Sequence, residues 1–127
     1  MTSSAPRPDL RAQQESARLP VNELVTRLRE ALGAKLVAYI ASLHDTRTVD
    51  AWATGESVPT AGTESRLRVA YHVTSLLLDH ADPQVVQVWF QGASEQLGDR
   101  APARLLREDD LAHRESPVLA AARAFCS

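Results

Sequence analysis

A chain of 127 residues, 44% apolar and with a formal net charge of −2, has room for one compact core or two very small units sharing one. The slightly acidic balance excludes a protein whose whole surface grips phosphate, so any nucleic-acid contact needs a local patch. A single cysteine, Cys126, excludes an intrachain disulfide, and no apolar run reaches the roughly 20 residues that span a bilayer, so a cytoplasmic protein with no membrane attachment is expected.

Aromatic residues are only 5% of the chain, which leaves Leu, Val and Ala to build the core, and little apolar alternation favours helices over sheet. Residues 1–20 carry three prolines and scattered charges without periodicity, the composition of a flexible arm. From Val21 the pattern changes. Val21, Leu24, Val25, Leu28 and Leu32 recur at helical spacing, and Gly33 ends that amphipathic helix. Leu36, Val37 and Ile40 supply the apolar face of a short helix over 36–43. Asp45 can cap a second short helix, on which Val49, Trp52 and Ala53 form one buried stripe. Gly55 stands where the chain leaves that helix through a left-handed residue.

These two short helices read as a helix-turn-helix, with Thr46, Arg47, Asp50 and Ala51 on the outer face of the second. Thr46, Arg47 and Thr48 hold the positions that address base edges. Lys35 and the arm residues Arg7, Arg11 and Arg18 are placed for phosphates. Between residues 34 and 58 the cations Lys35 and Arg47 face the anions Asp45, Asp50 and Glu56, a net of −1. Phosphate neutralisation supplies most non-specific affinity, so DNA contact is expected from an oligomer or complex rather than a lone chain.

A turn over 55–62 containing Pro59 leads to a long helix capped by Thr63 and running to about His80, with Leu67, Ala70, Tyr71, Thr74 and Leu78 on one stripe. Leu76 and Leu77 widen the stripe, which predicts burial on more than one side. Asp82-Pro83 is a cap followed by a first-turn proline and starts a helix carrying Val85, Val86, Val88, Trp89 and Phe90, ended by Gly92. Trp89 and Phe90 point about 100° apart on a helix, so one packs inside while the other reaches a neighbouring helix or a partner. A turn or short helix covers Pro102 to Leu106. Ser116-Pro117 repeats the cap-and-proline signal and opens a terminal helix through Val118, Leu119, Ala122 and Phe125. The expected architecture is all-α: an arm over 1–20, a helix-turn-helix region over 21–80 and a second helical region over 81–127.

Little in the chain points to catalysis. His44, His72, His80 and His113 lack metal-ligand spacing, and there is no Gly-rich phosphate loop. No carboxylate pair is framed by apolar sequence as a raised-pKa acid requires, and Cys126 has no fixed base beside it. No enzyme, metal or cofactor is expected.

Two groups of residues together carry a resemblance. One is the run Val49-Asp50-Ala51-Trp52-Ala53-Thr54-Gly55-Glu56-Ser57-Val58-Pro59, with its Trp, Gly and Pro in order. The other is the series Val88-Trp89-Phe90, Leu97-Gly98, Ala101-Pro102, Leu105-Leu106 and Pro117-Val118-Leu119, which looks like a W…LGG…P..LL…VL signature. Over about 21–127 the chain resembles the MbcA/ParS/Xre-type antitoxins. It departs from them at Gly92-Ala93-Ser94, where a proline is frequent, and at Asp99, where a second Gly is common.

The resemblance implies an Xre-like helix-turn-helix bundle followed by a small toxin-binding domain. It implies a co-encoded toxin of the NAD-degrading RES class, occluded at its active-site entrance by the C-terminal region, and repression of the operator by the complex. The residues it points to on the toxin side are Trp89, Phe90, Arg104, Arg107, Arg114, Val118, Arg123 and Phe125. Apart from that implication, the arginines among Glu108, Asp109, Asp110 and Glu115 read as a solvated, ion-paired segment, and the last helix as one that closes its own core or docks in a groove. The alternative is an Xre-like transcriptional regulator whose second half dimerises. Either way, a homo- or hetero-oligomer is expected.

Overall fold

The computed structural model describes residues 8–108 and 111–127, and the side chains of 10–108 and 117–127. Among these, every regular element is helical: α1 (Pro8–Arg18), α2 (Val21–Leu32), α3 (Ala34–Ile40), α4 (Arg47–Thr54), α5 (Ala61–Leu78), α6 (Pro83–Gln91), α7 (Pro102–Glu108) and α8 (Leu111–Cys126). A 3₁₀ turn at Glu95–Leu97 and a single bridge between Ser94 and Arg100 shape the α6–α7 loop.

α2 buries Leu24, Val25, Leu28, Ala31 and Leu32, the stripe read from its spacing. It ends at Gly33, whose φ of 89° and ψ of 149° lie where only glycine sits without strain, and α3 starts at the next residue. α3 buries Leu36, Val37, Ala38 and Ile40. α4 buries Val49 and Trp52 against α2 and α3, and Gly55 leaves it at φ 84°. The N–H of Glu56 then bonds the carbonyl of Ala51 at 2.9 Å, closing the helix end.

α5 is the axle. It packs against α1, α2, α3, α6 and α8, and from Leu67 to Leu77 it is buried almost all round. Its cap is Thr60 rather than Thr63: Thr60 Oγ1 accepts the Thr63 N–H at 3.3 Å, and a cap of this kind lies three residues before the donor it satisfies. The helix therefore takes in Gly62, and Leu78, at its far end, is 38% exposed rather than on the buried stripe.

Two further expectations are corrected. Residues 8–18 form α1, not a flexible arm, and α1 lies on α5 through the small residues Ala12 and Ser16, one turn apart on one face. Sequence periodicity misses it because polar contacts hold it. Arg68 of α5 donates to the carbonyls of Ser16 at 2.8 Å and Leu19 at 2.9 Å, capping the C-terminus of α1. Tyr71 donates to Glu15 at 3.2 Å, and Arg11 reaches both oxygens of Asp79 at 3.1 Å.

Pro117 is the second correction. It lies inside α8, which starts at Leu111, and not at a helix start. The proline removes one backbone donor from the helix ladder. Beyond it, Val118, Leu119, Ala121 and Ala122 are buried and fix the rest of α8 against α5 and α7.

The expected boundary near residue 80 marks no break in packing. One cluster of buried residues runs from Leu24 to Ala122, joined through contacts of α2 with α6, α3 with α7, and α5 with α8. No helix of the described residues is long and apolar enough to cross a membrane.

Candidate functional site

The short helices α3 and α4 are joined by residues 41–46. Ser42 turns that link at φ 61°, a left-handed conformation that turns of this kind often give to glycine. The cap position of α4 is Thr46 rather than Asp45, and Thr46 makes no side-chain cap bond; Asp45 precedes it, its Oδ1 accepting the Arg47 N–H at 3.0 Å and its Oδ2 the Arg47 guanidinium at 2.9 Å. These two bonds hold the Asp45 carboxyl below its ordinary range. On the same outer face Arg29 of α2 pairs with Asp50 at 2.9 Å. The charges of α4 are thus cancelled within the protein. Thr46 and Thr48 are half-buried, whereas Lys35, in the first turn of α3, is exposed and makes no salt bridge among the described residues.

The residues named for a toxin are not gathered in one place. Phe90 and Val118 are corrected: both are fully buried, so they support the surface from inside and offer no contact. Arg107 turns away from the others. Its guanidinium lies 4.6 Å from the ring centroid of Tyr39 and donates to the Tyr39 carbonyl at 2.8 Å, which ties α7 to the end of α3. Arg104 is exposed and paired with Glu108 at 3.0 Å. The side chain of Arg114 lies outside the described residues, as does Arg7.

Trp89 and Phe125 remain together at the α6–α8 surface, their rings 6.5 Å apart, while Arg123 is exposed two residues before Phe125 on α8 and so faces another side of that helix. Trp89 also meets Phe90 edge-on at 5.2 Å, so it bridges the core and the surface. The two faces of α6 explain this. Val86 and Phe90 point into the core, while Gln87 donates to the Ala31 carbonyl at 2.9 Å and fixes α6 on α2. Val85, Val88 and Trp89 follow i, i+3 and i+4 on the other side. There Val85 is 45% and Val88 68% exposed, and Phe125 on α8 is 42% exposed.

Protein-family models, curated proteins and solved structures give no match to the chain. Among the described residues no group of three or more His, Cys, Asp or Glu is gathered for a metal ion. Sequence reasoning missed Val85 and Val88 as surface residues, although their offset from Val86 and Phe90 carries the signal. It also missed Tyr39 and His44, which line a cleft beside the α3–α4 link, because nothing local marks them.

Proposed function

We propose that the protein is an antitoxin that binds a co-encoded toxin of the RES class and occludes its NAD-degrading site, with no catalytic activity of its own. The observation that carries this reading is the uncovered apolar stripe of Val85, Val88 and Trp89 continued by Phe125. A chain with few aromatics places two of them on one apolar patch, and contiguous exposed apolar surface of this kind is what a protein partner covers. The α6–α7 loop adds support. Leu97 is buried, Gly98 has φ 65°, and Asp99 also has φ 65°, a left-handed conformation that glycine takes without strain.

The test is co-expression with the product of the neighbouring gene, following growth and cellular NAD. Wild type restores both and co-elutes with the toxin, while Val88→Asp, at an exposed position, keeps the fold and loses rescue. Absence of a complex with a toxic neighbour overturns the proposal.

One observation favours a second reading, an Xre-like regulator whose α6–α8 face dimerises: α3 and α4 follow each other through a short left-handed link and α4 presents its N-terminal turn. Sedimentation of the purified chain separates the two. A stable dimer that Val88→Asp dissociates, with no toxin bound, favours the regulator. The cancelled charges of α4 favour operator contact by the complex, in the cytoplasm, over tight binding by the chain alone.

A further inference from the structure

A cleft of about 400 Å³ opens between α3, the α3–α4 link and α7, lined among others by Lys35, Tyr39, His44, Asp45, Thr46 and Arg107. It brings together residues that the sequence separates: Lys35 from the first turn of α3, Thr46 from the cap of α4 and Arg107 from α7. We propose that this cleft holds a backbone phosphate of a nucleic acid, with Lys35 and Arg107 supplying the charge and Tyr39 holding Arg107 in place.

Charge accounting is the first support. Arg11, Arg29, Arg47, Arg68 and Arg104 are each engaged by a carboxylate; Arg18, Arg27 and Arg66 are not, but of the cations without a salt bridge among the described residues only Lys35 and Arg107 line this cleft. Asp45 is the acid in the cleft, and both its oxygens are occupied by Arg47. Its charge is therefore answered outside the cleft, and the two free cations set the local sign, with His44 beside them.

Preorganisation is the second. The Arg107 guanidinium is fixed by the Tyr39 ring at 4.6 Å and by the Tyr39 carbonyl at 2.8 Å. That contact uses Nη1 and leaves the other donors of the fork without a hydrogen bond among the described residues, so an oxyanion meets a guanidinium already held in place at little further entropy cost. Position is the third. The cleft adjoins the first turn of α4, so a strand whose phosphate sits there passes over Thr46 and Arg47. A nucleic-acid strand satisfies both the cleft and the adjoining turn, whereas a free anion fills only the cleft.

The inference rests on the nucleic-acid reading of α3–α4 and not on toxin binding. The full chain is titrated into a short labelled DNA duplex at several salt concentrations. Lys35→Gln and Arg107→Gln each lower affinity several-fold at low salt and flatten the dependence of log K on log salt by about one. Lys35 is the only lysine, so its acylation by an amine reagent, read by mass spectrometry, reports the site directly. Duplex protects it, and neither inorganic phosphate nor polyglutamate does so at equal charge concentration.

Lys35→Gln is at an exposed position and keeps the test valid if Arg107→Gln loosens α7. Wild type that binds duplex while both variants keep its salt slope overturns the site. In that case a loss of binding in Arg47→Gln keeps the nucleic-acid reading alive. No salt-dependent binding by wild type overturns both, and protection by polyglutamate or phosphate alone overturns the assignment to nucleic acid.

Discussion

Tyr71 joins three helices through one oxygen. It accepts from Arg27 of α2 at 3.2 Å and donates to Glu15 of α1 at 3.2 Å, from a largely buried ring on α5. Burial raises its pKa above the ordinary 10.0, outweighing the lowering by the Arg27 hydrogen bond. A folded pKa above the unfolded one means the phenol stabilises the fold fully below pH 10 and loses that contribution as pH rises through the folded value. Ultraviolet titration therefore shows one phenol ionising above pH 10 in the folded chain, with stability falling over the same range. A midpoint at or below 10 rejects the buried, donor-bonded phenol. Asp99 offers a second check at this scale. Its φ of 65° costs a non-glycine residue roughly 1 kcal/mol, so Asp99→Gly raises the urea midpoint slightly without changing the slope of the transition.

Helix ends are tied by arginines from neighbouring elements. Arg68 caps α1, Arg66 of α5 reaches the Ile40 carbonyl at 3.4 Å, and Arg107 takes the Tyr39 carbonyl, the last two at the end of α3. These contacts fix elements that are short or poor in apolar residues, and propensity alone would leave them marginal. For α1 the consequence is testable. Arg68→Met keeps the stem and removes the donors, freeing the carbonyls of Ser16 and Leu19. Hydrogen exchange of the α1 amides should accelerate by the equivalent of roughly 1–3 kcal/mol, while that of α2 and α5 changes less. Equal acceleration in all three helices would mean that α1 does not open as a separate unit. The buried stripes of α2 and α4, and their ends at Gly33 and Gly55, were legible because apolar spacing and glycine are local signals. α1 was not, since its partners lie 52 and 49 residues away in sequence.

For the whole molecule, α5 decides stability, and the α6–α8 face is the one proposed for a partner. Leu67 is fully buried and its loss leaves a cavity at the centre of the shared core. Leu67→Ala should cost about 2–5 kcal/mol and lower the melting temperature by roughly 4 °C for each kcal/mol. Because one core serves both ends of the chain, near- and far-ultraviolet signals should melt together. A second transition for the C-terminal helices would contradict the shared core. Val88→Asp is the contrast, being expected to alter association and leave the melting temperature nearly unchanged.

By itself the sequence determined the all-helical class, the stripes of α2 and α4, that of α5 as far as Thr74, the proline start of α6, and Trp52 as a core residue. Periodicity, caps and breakers act over a few residues, so the chain carries them openly. Only the tertiary structure decided which aromatic faces outward, since Trp89 and Phe90 are equivalent until α2 and α5 claim one side of α6. It alone turned Pro8–Arg18 into a docked helix, and it moved Arg107 away from the α6–α8 surface to Tyr39, beside Lys35. Those outcomes depend on contacts between residues far apart in the chain, whose geometry exists only once the core around α5 has closed.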